Sequence, residues 1–127
     1  MVAGPYCTKL MADLGAEVLK IEPPSYGDKA RRSPPFFRDI PDAEGSGLFL
    51  YLNTNKLGIT LDITTTTGRD IFIELVKDAD IIVEDNAPGW MAQHELGYDD
   101  LKAINPDIIV TSITPFGQTG PYRDYKA

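Results

Sequence analysis

Between Leu57 and Ile113 the chain alternates strand, helix, strand, helices, strand, and this order constrains the fold more than any other feature. Leu57, Ile59, Leu61 and Ile63 alternate with Gly58, Thr60 and Asp62, the period-two rhythm of a half-buried strand. Ile71, Phe72, Leu75 and Val76 then share one face of a helix, which Thr67 and Asp70 are spaced to start as a capping box. Asp80 to Glu84 reads as a short buried strand. Pro88-Gly89 opens a short helix ending near Gly97. Asp99 is placed to cap another, with Leu101 and Ile104 inward, and Asn105-Pro106 stops it. Asp107 to Ile113 is the last strand. Strands separated by helix-length segments require crossovers, so the spacing predicts a parallel sheet with helices across it.

The first half fits the same plan. Pro5 suits a first helical turn, and Cys7, Leu10, Met11 and Leu14 follow the spacing of a buried helix face. Gly15 is placed as a left-handed cap, and Glu17 to Glu22 alternates as a strand. Pro23 to Gly47 is a long Pro- and Gly-rich stretch with a basic centre of Lys29, Arg31, Arg32 and Arg38, and Leu48 to Leu52 reads as a helical turn. A doubly wound unit begins on a strand, whereas this chain opens on a helix. The expectation is therefore an α/β, Rossmann-like parallel sheet of strands at 17–22, 57–63, 80–84 and 107–113. It lacks its first strand and belongs to a protein truncated at both ends.

Composition narrows the function. At 127 residues with 43% apolar residues the chain supports one ordinary core. A net charge of −7 disfavours nucleic acid as a partner. The apolar runs are far shorter than the about 20 residues of a membrane span, and no signal leader is expected. The single Cys7 excludes an internal disulfide and fits a reducing, cytoplasmic setting. One cysteine and one histidine, His94, give no zinc-type metal cluster.

Few residues announce chemistry on their own. Ala3-Gly4-Pro5 is either an anion-accepting helix start or a plain one. Lys29 to Arg38 either meets a phosphate or carboxylate or is solvated loop charge. Asn53, Asn55 and Lys56 either close a turn or face a ligand. Glu84-Asp85-Asn86 lies at the carboxyl end of a strand, where open α/β sheets bind ligands, and is otherwise a polar loop start. Cys7 and Trp90 read as packing residues and His94 as a surface one. Neither G-x-G-x-x-G nor a Walker loop is present.

Taken in order, six blocks resemble one family. They are A-G-P-Y-C-T-K-L-M-A-D-L-G-A-E-V-L-K-I-E-P-P from Ala3, G-D-K-A-R from Gly27, N-T-N-K-L-G-I-T-L-D from Asn53, T-G-R-D-I-F-I-E-L-V-K-D-A-D-I-I-V-E from Thr67, the P-G, L-G-Y and N-P pairs that follow, and F-G-Q-T-G-P from Phe116. The chain is similar to the N-terminal segment of class III CoA-transferases, a family that also holds acyl-CoA racemases. The resemblance implies a cytoplasmic enzyme of interlocked dimers, acting on an acyl-CoA and a small carboxylic acid, with coenzyme A as substrate and no tightly bound cofactor. In the transferases an aspartate attacks the thioester and forms an anhydride. The racemases use a His/Asp pair instead. No residue of this chain matches either catalytic position, so the implied catalytic set is empty here. The implied reading is residues 1–127 as part of a CoA-binding domain of a transferase. The alternatives are the same part of an α-methylacyl-CoA racemase, or a non-catalytic CoA-binding or dimerisation module. CoA is implied along Val2 and Ala3, at Asn55, Lys56 and Leu61, and at Asp85 and Asn86. Asn86 and Ala87 stand where the family usually has an aromatic residue and often an arginine; Gln93 and Pro23 also replace common cations.

Overall fold

The computed structural model describes residues 2–125. The chain divides into two compact units between Asp62 and Ile63. In the first, helix α1 (Ala3–Asp13) leads to strand β1 (Leu19–Glu22), and helix α2 (Gly47–Leu52) to strand β2 (Leu57–Thr60). The strands pair in parallel, with Leu19 opposite Leu57 and Glu22 opposite Thr60. The second unit runs α3 (Thr66–Lys77), β3 (Ile81–Glu84), α4 (Trp90–Gln93), α5 (Tyr98–Ile104), β4 (Ile109–Ser112). Its strands are also parallel, Ile81 opposite Ile109 and Glu84 opposite Ser112.

Mixed α/β architecture with parallel strands and crossover helices is what the alternation predicts. The strands are shorter than expected and form two separate pairs. Among the described residues each strand therefore has a single strand neighbour.

Helix α1 covers the face its spacing suggests only in part, with Cys7 and Met11 half-buried. Gly4 and Ala12 are buried, whereas Leu10 is 47% and Leu14 90% exposed. Periodicity identifies which residues share a face; the layer that meets the helix decides which face is covered. Gly15 ends the helix as expected, at φ 101°, with Ala16 N–H donating to Met11 O. The stretch after β1 is more ordered than its composition suggests. It holds two 3-10 turns, at Lys29–Arg32 and Phe37–Asp39. Buried Ser46 fastens it: Oγ lies 2.7 Å from both Ala30 O and Ser33 O, shares its proton between them, and accepts from Phe49 N–H. The last contact also caps α2.

In the second unit Phe72, Val76, Leu96, Leu101 and Ile108 form the buried core, while Ile71 turns outward at 46% exposure. The cap of α3 is Thr65, whose hydroxyl accepts from Gly68 N–H, and not the Thr67–Asp70 pair. Asp99 lies inside the first turn of α5; the Asp100 carboxylate accepts from Gly97 N–H instead. Asn105 Nδ2 donates to Val76 O and Ala79 O and so closes the end of α3. No helix among the described residues is long and apolar enough to cross a membrane.

Candidate functional site

Four candidate residues of the first unit, Val2, Ala3, Asn55 and Lys56, lie in or against α1. Val2 caps the helix without a side-chain hydrogen bond, and Val2 and Ala3 are exposed. Beneath the first turn lies the Lys56 ammonium, which donates to Pro5 O at 2.7 Å, Thr8 Oγ1 at 2.8 Å and Asn53 Oδ1 at 3.3 Å. Those three acceptors match its three N–H donors. Burial, and then the neighbouring Lys20 ammonium, push its pKa down to about 8. Asn55, in the left-handed region at φ 62°, donates to Asp13 Oδ1 at the other end of α1. The N-T-N-K segment thus holds α1 at both ends. Leu61, half-buried, follows β2 and extends the ladder by donating to Glu22 O.

At the carboxyl end of β1 a cleft of about 380 Å³ is lined by Glu22, Tyr26, Arg31, Glu44 and Thr60, among others. Glu22 is 7% exposed and accepts from Arg31 Nε at 2.8 Å, Arg31 Nη2 at 3.0 Å and Asp28 N–H at 2.8 Å. Burial alone would raise its carboxyl; the Arg31 guanidinium and the Asp28 N–H outweigh it and hold it below its ordinary value. Arg31 also reaches Glu44 Oε1 and stacks 3.8 Å above the Phe49 ring. Lys20 pairs with Asp28, whose carboxyl is likewise held low against the opposing effect of burial. The basic run is therefore dispersed. Arg31 is consumed by carboxylates, Arg32 donates to Tyr26 O, and Arg38 stacks on Phe37.

In the second unit the carboxyl end of β3 carries the other candidates, with Asp85 exposed and Asn86 half-buried. Glu84, 9% exposed, accepts from Asn86 N–H at 2.8 Å through Oε2. Gln118 bridges from the F-G-Q-T-G-P turn: its Nε2 donates to Glu84 Oε1 at 3.4 Å and its Oε1 accepts from Gly89 N–H at 3.0 Å. Arg123 Nη2 donates to Pro88 O at 3.1 Å. Gly89 sits at φ 79°, in the left-handed region that favours glycine, and a Cβ there would lie 2.7 Å from Arg123 Nη2, so a larger residue would push that side chain aside. Trp90 stacks on His94 with centroids 4.1 Å apart, and His94 Nδ1 lies 2.8 Å from Trp90 O. A second cleft of about 260 Å³ is lined by Thr64, Thr65, Thr66, Arg69, Gln93, His94 and Glu95, with Arg69 paired to Glu95.

Asp85 and Asn86 lie in the second unit, the remaining candidates in the first. Sequence reading missed Glu22–Arg31, because only folding brings Arg31 back to the end of β1. It also missed Gln118, for which the signal was present: a glutamine between two glycines that adopt φ 88° and 94°, Gly117 and Gly120. Among the described residues Thr114 Oγ1 is the buried side-chain polar atom without a partner, and no group of metal-ligating residues is found.

Comparison with known proteins adds to this geometry. A family model described as CoA-transferase family III matches residues 1–127. The chain is 41% identical over 122 residues to a succinyl-CoA:(R)-benzylsuccinate CoA-transferase subunit from Thauera aromatica, covering 96% of this chain and 30% of that one. It is 42% identical over 124 residues to the formyl-CoA:oxalate CoA-transferase of a Bradyrhizobium species, covering 98% of this chain and 28% of that enzyme. A crystal structure of a CAIB/BAIF family protein from Brucella suis superposes with a TM-score of 0.86 at 39% identity, covering 98% of this chain and 32% of the other. The chain thus spans about a third or less of the length of these relatives.

Proposed function

The chain belongs to CoA-transferase family III, and from that premise we propose that it forms the CoA-binding portion of an acyl-CoA:carboxylate CoA-transferase. The observation that carries this reading is a family match along the whole chain. It is supported by the position of Leu61, Asp85 and Asn86 just past the carboxyl ends of parallel strands. In this reading Val2, Ala3, Leu61, Asp85 and Asn86 face CoA, while Asn55 and Lys56 serve the same site by holding α1. CoA and its thioester enter as substrate, and a small carboxylic acid accepts the acyl group's CoA. The whole enzyme works through an aspartyl anhydride, which splits a difficult transfer into easier steps. Residues 1–127 supply binding and no nucleophile. The whole enzyme is a cytoplasmic homodimer.

The test is calorimetric titration of the purified chain with CoA and with succinyl-CoA, beside backbone NMR. Saturable binding is expected, with shifts at Leu61 and at Asp85-Asn86. Asp85→Asn removes one negative charge near the phosphates and tightens binding, by about fivefold or ~1 kcal/mol where the bound ligand partly buries the contact. No succinyl transfer to a carboxylate acceptor is expected from the chain alone. Absence of saturable binding, or shifts confined to other residues, would overturn the placement.

A further inference from the structure

The F-G-Q-T-G-P turn makes a specific set of hydrogen bonds. Gln118 uses both ends of its amide, one on the Glu84 carboxylate and one on the Gly89 N–H. Those two groups flank the segment from Asp85 to Pro88. Within it, Asn86 N–H is bound by the other oxygen of Glu84. Gly117 and Gly120, both at positive φ, give the turn the shape that carries Gln118 back to β3. Only a side chain with a donor and an acceptor side by side can serve both contacts, because Glu84 offers oxygens alone and Gly89 a proton alone.

We propose that Gln118 is a positioning residue that sets the loop Asp85–Gly89 for its ligand, a role that rests on the reading of this loop as part of the CoA site. Arg123 Nη2, which donates to Pro88 O, is the neighbouring cation on the same segment. Glu84 and the exposed Asp85 are the carboxylates beside it.

Three variants test this. Gln118→Leu removes both contacts. Gln118→Glu keeps the acceptor for Gly89 but loses the donor to Glu84 and sets a second carboxylate against it. Gln118→Glu combined with Glu84→Gln restores the set in reverse: the amide at 84 donates to the carboxylate at 118 and keeps an oxygen for Asn86 N–H. The readouts at pH 7 are Gly89 amide exchange and CoA affinity relative to wild type, with the midpoint of unfolding measured beside them. Gln118→Leu and Gln118→Glu are each expected to speed Gly89 exchange at least tenfold and weaken CoA about tenfold. The exchanged pair is expected to return both to within about threefold of wild type. Unchanged Gly89 exchange in Gln118→Leu, absence of recovery in the exchanged pair, or a loosened Gly89 with unaltered CoA affinity each overturns the proposal. If the wild-type chain binds no CoA, the ligand reading fails alone. Gly89 exchange and its return in the exchanged pair then decide whether Gln118 sets the loop.

Discussion

Replacing Arg31 by methionine keeps the length of the side chain and removes its charge. Glu22 then stays at 7% exposure with the Asp28 N–H as its remaining donor among the contacts described. Stripping one partner from a buried pair costs about 3–5 kcal/mol, and the 20% exposure of the Arg31 side chain places this one at the lower end. The contact to Glu44, which is 78% exposed, adds little. The stack on Phe49 contributes about 1 kcal/mol, part of which methionine retains. The expected loss is about 3–4 kcal/mol, against a total stability on the order of 10 kcal/mol for a chain of this length. The pH dependence gives a second signature. In the wild type Glu22 is held below 4.5, so its stabilisation is present above that pH and is lost as pH falls through the folded value. In Arg31→Met burial acts with less opposition, so the carboxyl lies higher than in the wild type. The folded variant then takes up its proton at a higher pH than wild type, and the gap between the two narrows as pH falls. Urea denaturation followed by circular dichroism at pH 7.5, 6 and 5 measures both effects. Adding Glu22→Gln to Arg31→Met should recover at least about 1 kcal/mol, since a buried amide costs less than a buried charge. A loss below about 1 kcal/mol at pH 7.5, or no recovery in the double variant, would refute the argument.

Thr114→Val removes the orphaned buried hydroxyl and should raise stability by about 1 kcal/mol, seen as a higher midpoint of thermal unfolding; a lower midpoint would mean that the hydroxyl is paired after all. Lys56 titrates near 8 in the fold and near 10.5 when unfolded, so between these values the unfolded chain holds the extra proton and stability rises with pH. The rise from this group is about 1–2 kcal/mol, roughly half the full linkage value because the ammonium keeps solvent contact, and Lys56→Met should flatten the curve.

The sequence by itself determined what depends on neighbours along the chain. The period-two run at Leu57 and the apolar run at Ile81 specify strands, the crossover lengths specify parallel pairing, and Gly15 ends a helix because its φ of 101° suits glycine. The order of the family blocks likewise pointed to the family before any contact was known. What the tertiary structure decided depends on residues far apart. Leu10 shares a helix with Gly4 and Ala12, and Leu14 caps it, yet the covered face is the one with small side chains, which admit a close neighbour. The basic run read either as an anion site or as solvated loop charge; the fold instead sets Arg31 against Glu22 and Glu44, where removing it would leave a buried carboxylate uncompensated. Lys56 and Asn55 carried a family motif, but only the packing of α1 showed that each side chain has an acceptor there. Gln118 required the same information. Its two partners lie 34 and 29 positions away, and a hydrogen bond is set by distance in space, which a linear pattern does not encode.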